Sequence, residues 1–298
     1  MGLRFVGLVL LALFSSDARA DQVRLRVGTL AVDGSRYMAD ILALSKQIEL
    51  RTNRTVRLDW VTGGQLGDDR AMAKQIRDGS LDGGGLSETG LIELVPEMTA
   101  WQYPGLFRDH AEVDRATASL DAQIREGFET RKLVFAMWAD LGFATLFSTQ
   151  PIANLRELLG RATLTTPLDQ TLVEAITQKR TTAWALPPLY QLVIGAQRAK
   201  VMTELRYRYV VGGLVLSNAA WSKLTPTQQR IVLDTCRDYE PKLRASWRAE
   251  TERGIAALIK AGVQLRTFST AETAAFFAAA AASKGGELVT AIRASLAR

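Results

Sequence analysis

The sequence contains one cysteine, Cys236, and one histidine, His110, in 298 residues. A lone cysteine cannot close an internal disulfide. With one residue of each type, neither a Cys/His metal site nor a Cys–His catalytic pair fits. A Ser-His-Asp triad would have to use His110, and no Gly-x-Ser-x-Gly elbow is present. The glycine run Gly83-Gly84-Gly85 lacks the Lys-Ser/Thr of a phosphate loop, which argues against nucleotide binding. Glycine and proline are not enriched, so long disordered stretches are not expected. After residue 20 no run reaches the roughly 20 apolar residues that a membrane-crossing helix needs.

The first twenty residues differ from the rest. Arg4 gives a positive start, Phe5 to Phe14 are apolar, and Ala18-Arg19-Ala20 has the small-x-small cleavage pattern. Together these are the parts of a secretory signal peptide, so residues 1–20 are expected to be removed and the remainder to be soluble in the periplasm. The formal net charge is +6. Acidic and basic residues are interleaved along most of the chain, which suits a mixed solvated surface. Export and this interleaving both argue against nucleic acid as a partner, although a mildly positive field could attract an anionic solute.

Strand-like and helix-like segments alternate. Arg24–Leu30 and Val56–Val61 have the period of strands, and between them Met38, Ile41, Leu42, Leu44 and Ile48 form an apolar helical stripe. Asp68 and Asp69 favour a helix start and Gly79 a stop. The glycine run at 83–85 allows close backbone approach, either to a neighbouring element or to a ligand. Lys132–Trp138 reads as a buried strand, Pro151 to Leu159 as a short helix, Arg161–Thr165 as a strand, and Val210–Leu216 as a strand that could cross between lobes. Thr225-Pro226-Thr227-Gln228 is a capping box with proline in the first turn. The helix it opens runs through Trp247 towards Lys260, with a kink expected at Pro241. Val263–Phe268 reads as a last strand, followed by alanine-rich helices over about Ala271–Ser283 and Glu287–Leu296. Cys236 falls on one helical face with Val232, as a buried small hydrophobe would. His110 reads as surface structure near a helix start. The pattern predicts an α/β fold with largely parallel sheets and helices on both faces.

The run Gly63-Gly64-Gln65-Leu66-Gly67-Asp68-Asp69, continuing through Gly79-Ser80-Leu81-Asp82, resembles the signature of TRAP-transporter solute-binding proteins of the DctP type. Pro104-Gly105-Leu106-Phe107 and Trp221-Ser222-Lys223-Leu224-Thr225-Pro226 resemble two further motifs of that family. The resemblance covers about Val23 to Phe268. It implies a two-lobed periplasmic binding fold of type II-like architecture, which closes on a solute and delivers it to the transporter's membrane subunits. On this reading residues 21–298 form the binding domain. Lobe 1 takes approximately 21–138 plus part of 214–260, and lobe 2 approximately 139–213 plus part of the C-terminal region. The resemblance also implies carboxylate capture by arginine, and here the sequence departs from it. Ala144 stands where the family has one arginine, and Leu164 or Thr165 where it has another. Arg161 is displaced by about three residues, and the family's Val-Asp-Gly segment is missing.

The candidate ligand-binding residues are Ser87, Glu88, Trp138, Arg161, Thr163, Thr165 and Tyr190. Each has a plainer alternative. Ser87 or Glu88 would also cap a helix, Trp138 would also pack a core, Thr163 and Thr165 suit any strand, and Tyr190 would also cover the turn at Pro187-Pro188. Three ligand readings stay open: a neutral or less acidic solute, an acid held by another arginine such as Arg161 or Arg36, or lost binding. The last would make the chain an interaction or sensory partner instead of a transport subunit. No nucleophile or acid–base constellation points to an enzyme, and no cofactor is implied.

Overall fold

The computed structural model describes residues 22–161, 170–195 and 198–297. The expected signal segment, Thr163 and Thr165 lie outside the described residues. Strand β1 (Val23–Thr29) leads to helix α1 (Arg36–Arg51), where the Ser35 side chain accepts from the Met38 N–H. Strand β2 (Val56–Val61) follows, then helix α2 (Asp69–Asp78). The Asp68 carboxylate caps α2 by accepting from the Ala71 N–H, and Gly79 ends it in the left-handed region at φ 81°. Strand β3 (Gly83–Ser87) passes directly into helix α3 (Glu88–Leu94). A 3₁₀ turn (Pro96–Gln102) and helix α4 (His110–Glu129) complete the first half.

Strand β4 (Leu133–Ser148) is 16 residues long. At about 3.3 Å per residue it spans roughly 50 Å, enough to serve two sheets. Helices α5 (Leu155–Arg161) and α6 (Gln170–Thr177), strand β5 (Ala183–Leu186), helix α7 (Pro188–Gly195) and strand β6 (Val201–Thr203) follow. Strand β7 (Arg208–Ser217) returns beside β4 and is followed by helix α8 (Asn218–Trp221). Helix α9 (Pro226–Lys260) opens with the expected Thr225/Gln228 capping box and continues past Pro241. Strand β8 (Gln264–Arg266) and helices α10 (Thr270–Ala282) and α11 (Glu287–Leu296) end the chain.

The strand order is β2-β1-β3-β7-β4-β6-β8, with β5 also paired to β4. Among the described residues, parallel pairing is confined to β1 with β2 and β3, and to β6 with β8. The sheet is therefore more evenly mixed than the alternation of segments suggested. The reason is the antiparallel ribbon of β4 and β7, which also bonds antiparallel to β3, β5 and β6. The glycine run of β3 serves this packing: a Cβ on Gly83 would stand 2.6 Å from the Val215 carbonyl of β7.

Among the described residues four hydrophobic cores flank the sheet. Val215 of β7 faces a core built from α2, α3, α4 and α11, whereas its neighbours Leu214 and Leu216 face one built from α1 and α9. This alternation is what a strand buried on both faces requires. Beyond residue 141 the ribbon carries two further cores, one around Leu146 and Leu158, the other around Phe147 and Trp184. The chain is thus two-lobed, with β4 and β7 common to both lobes. Register shifts in this ribbon lie between Phe135 and Met137 and between Asp140 and Gly142, and Gly142 sits at φ 91°. Such bulges are where a long ribbon bends.

Candidate ligand-binding site

A cavity of about 200 Å³ lies where β1 and β3 end and α7 comes across from the other lobe. Leu30, Val32 and Tyr37 form one wall, Leu189, Tyr190 and Val193 of α7 the opposite one, and Met137, Leu141 and Leu214 of the ribbon the floor. Trp60 and Trp247 complete it. Val32 is 50% exposed and Val193 79%, as expected of residues at a mouth. Tyr37 and Trp247 stack with ring centroids 4.9 Å apart. The Trp60 indole N–H donates to Ser45 Oγ at 2.7 Å, so that ring is oriented from behind.

The polar part of the lining is small: Thr29, Ser35, Asp69 and Ser87. Asp69 is the first residue of α2, but it does not cap the helix, because Asp68 does. It lies on the helix face that buries Met72, Ala73 and Ile76, and is itself buried. Its carboxylate accepts from the Ser87 hydroxyl and, at 3.3 Å, from the Ser87 N–H. Burial pushes the Asp69 carboxyl up to about 6. The Ser87 hydrogen bonds oppose that rise, and the neighbouring charges of Asp68 and Glu88 add to it.

Beside the cavity, Arg208 Nη1 donates to both Glu88 oxygens, at 2.7 and 2.6 Å, and both side chains are buried. Among the described residues Arg208 Nη2 has no hydrogen-bond partner. Burial drives the Tyr190 hydroxyl well above its ordinary pKa, and the nearby charges of Asp69 and Glu88 push it the same way. Ser87, Glu88 and Tyr190 are therefore brought together. Trp138 is not: it packs in the core against Trp101 and Phe135 and donates from its indole N–H to Asp121 at 2.9 Å. Arg161 is the last residue of a helix, not part of a strand, and its side chain lies outside what is described. Arg36 bonds Asp40 and Ser246 on the surface.

A second charged cluster ties the ribbon to the helices. Arg248 of α9 donates to Asp140 at 2.8 Å and, with two nitrogens, to Asp114 at 3.0 and 2.7 Å. The Tyr209 hydroxyl donates to the other Asp140 oxygen. Burial alone would lower the Arg248 pKa, but the bonds to Asp114 and the charge of Asp140 outweigh it and hold the guanidinium above its ordinary value. His110 is half-buried against Phe143 and Tyr209 rather than on the surface. Burial and then the Arg248 charge lower its pKa.

Sequence reasoning missed Asp69, Tyr37, Trp60, Trp247 and Arg208 as parts of this region. For Asp69 a signal existed, since residues 69, 72, 73 and 76 share one helical face. For Arg208 there was none nearby in sequence.

The overall fold has close counterparts among solved structures. A TRAP periplasmic solute-binding protein from Desulfovibrio salexigens with bound orotic acid matches 93% of this chain and 99% of its own, at a TM-score of 0.81 and 18% identity. The sugar acid binding protein DctPAm of Advenella mimigardefordensis, in complex with galactonate, matches 93% and 98% at a TM-score of 0.82 and 16% identity. A TRAP periplasmic solute-binding protein from a Polaromonas species, bound to D-erythronate, matches 92% and 98% at a TM-score of 0.81 and 19% identity. In sequence, the uncharacterized protein YiiZ of Salmonella typhimurium is 23% identical over 86% of this chain and 85% of its own length. The family model for bacterial extracellular solute-binding protein, family 7 (DctP), matches residues 27–188 and 196–284, and the chain belongs to that family.

Proposed function

We propose that this chain is the periplasmic solute-binding subunit of a TRAP-type transporter, holding a small organic solute in the interlobe cavity and passing it to the membrane subunits. The single observation that carries this is the position of the cavity. Its floor is the β4–β7 ribbon and its walls come from both lobes, the ends of β1 and β3 on one side and α7 on the other, so opening the lobes would open the cavity. Family membership and the small acids held by proteins of the same fold support the same reading. Among the described residues no helix is long and apolar enough to cross a membrane, in keeping with delivery to a separate membrane partner. The N-terminal pattern supports export through a signal peptide at residues 1–20.

On this proposal the lobes divide near the first bulge of β4. The first lobe takes residues 21–138 with part of 214–260, and the second takes 139–213 with part of the C-terminal region. Bending at the bulges around Ala136 and Leu141 would move α7 away from β1 and β3. Ser87, Glu88 and Tyr190 act at the closure surface, together with Asp69, Tyr37 and Trp247. The function is capture and release, with no chemical step.

Native mass spectrometry of the purified chain, with thermal-shift screening of a metabolite panel, tests this. A bound solute at 100 times its dissociation constant stabilises the folded state by about 2.7 kcal/mol, which is easily read as a raised Tm. A chain that purifies empty and shifts with no small molecule at millimolar concentration would refute solute capture.

A further inference from the structure

Granting solute capture as proposed above, we infer that the cavity takes a solute with an apolar body, a ring or branched hydrocarbon carrying one polar head group, and turns away polyhydroxylated acids. Two proteins of the same fold hold galactonate and D-erythronate, so the body of the solute has to be read from this chain's own wall. The described wall is hydrocarbon from three directions. The ribbon supplies Met137, Leu141 and Leu214, the first lobe Leu30 and Val32, and α7 of the second lobe Leu189 and Val193. The rings turn carbon to the cavity as well. Tyr37 Oη and Trp247 Nε1 are both buried, so the stacked pair meets the cavity with its carbon atoms. The Trp60 N–H is committed to Ser45.

The few polar side chains of the described lining are already bonded within the protein. Ser35 Oγ donates to the Val32 carbonyl at 2.7 Å and accepts from the Met38 N–H at 3.2 Å. Thr29 Oγ1 accepts from the Ala31 N–H at 3.2 Å. The Ser87 hydroxyl donates to Asp69 and accepts from the Thr89 N–H at 3.3 Å. A hydroxyl has a single proton to give, so Ser35 and Ser87 have no donor left for a solute. A solute hydroxyl laid against this wall loses its water and gains no bond in return, which costs roughly tenfold in affinity for each one. A methylene in the same place gains affinity by burial. Arg161 remains a candidate for the head group, and the wall selects the body whichever group holds the head.

The test is calorimetric titration of the full mature chain at pH 7.5 with pairs that share one carboxylate and one carbon frame: cyclohexanecarboxylate against quinate, and hexanoate against D-galactonate. The bare member of each pair is expected to bind at least about a hundredfold more tightly than its hydroxylated counterpart. Val193 is 79% exposed, so Val193→Ser should leave thermal stability nearly unchanged. It should nonetheless weaken cyclohexanecarboxylate about fivefold, by removing apolar contact from the α7 wall. Ile259→Ser, at an exposed position of α9 outside the cavity, is the control and should change neither stability nor affinity. Quinate or D-galactonate binding as tightly as its bare counterpart overturns the inference, and so does a cyclohexanecarboxylate affinity indifferent to Val193→Ser. A solute that co-purifies decides in the same way: two or more free hydroxyls on its body overturn the inference. Those outcomes leave solute capture standing, whereas an absence of binding in both pairs, with no co-purified molecule, sinks both.

Discussion

Replacing Asp69 by asparagine should make the empty protein more stable at neutral pH. Asp69 is 2% exposed, and burial lifts its carboxyl from 3.8 to about 6. Each pKa unit corresponds to about 1.4 kcal/mol, so keeping this group ionised at pH 7.5 costs the folded state roughly 3 kcal/mol at most. Asparagine removes that cost and keeps the local bonding. Its carbonyl can accept from the Ser87 N–H, and its amide can donate to the Ser87 hydroxyl oxygen. The sign of the pH dependence is specific. In the folded chain the Asp69 carboxyl holds its proton up to about pH 6, whereas the unfolded chain releases it near 3.8. The parent therefore gains stability as pH falls through that window, and the variant does not. Among the described residues the groups acting on Asp69 are Asp68 on its own turn, Ser87 and Glu88 at the β3–α3 junction, and Tyr190 on α7. None of them supplies a positive charge.

Thermal unfolding followed by tryptophan fluorescence measures the effect. For a chain of this size about 1 kcal/mol corresponds to 2–4 °C in Tm, so a rise of up to about 6–12 °C is expected at pH 7.5. By pH 4 most of the difference should be gone. A variant less stable than the parent at pH 7.5, or a difference that stays constant with pH, would refute the reasoning. Greater stability together with weaker solute binding is the expected signature of a buried charge retained for function.

Other consequences can be checked separately. Arg208→Met strands Glu88 in the interior and should cost about 3–5 kcal/mol in urea unfolding, while the double change with Glu88→Met should recover most of it. Arg248→Met leaves Asp140 and Asp114 without their shared guanidinium and should cost about 2–4 kcal/mol by the same assay. Burial pushes the Cys236 thiol up to about 12, so it should be silent to a thiol reagent in the native protein at pH 8 and react on unfolding; rapid native reaction would contradict its placement. Trp138→Phe removes the bond to Asp121 and should lower stability by about 1 kcal/mol while leaving solute affinity within about twofold. A tenfold loss of affinity would put Trp138 in the site after all.

Elements set by local chemistry could be read directly. The capping box at Thr225, the left-handed Gly79 and the apolar stripe of α1 each need only neighbours within one or two turns. The length of β4 could not be read in this way. Its alternation fails after Trp138, where Asp140 and Gly142 interrupt an apolar run, and the strand continues because β7 pairs with it and two bulges absorb the misfit. Asp69 was legible in position but not in role. An acidic residue at a helix start is ordinarily a cap, and only the inward face it shares with Met72 and Ile76 marks it as buried.

Arg208 illustrates the limit more sharply. The family pattern leads one to expect an arginine at 144, and the chain has alanine there. In the β4–β7 ladder Ala144 is paired directly with Arg208. Residues directly opposite in an antiparallel pair project to the same face, with Cβ atoms about 5 Å apart. A guanidinium is therefore returned to nearly the same face of the ribbon from a strand 64 positions further along the chain. It does not return as a free carboxylate clamp, because Glu88 occupies both bonds of Nη1 and the pair is closed off from water. An alignment at 144 would score only a loss, and a count of nearby basic residues would score a replacement. Strand register together with the Glu88 ion pair separates the two cases: the charge is back in place, but it is held by the scaffold, and among the described residues Asp69 is the charged group that lines the cavity.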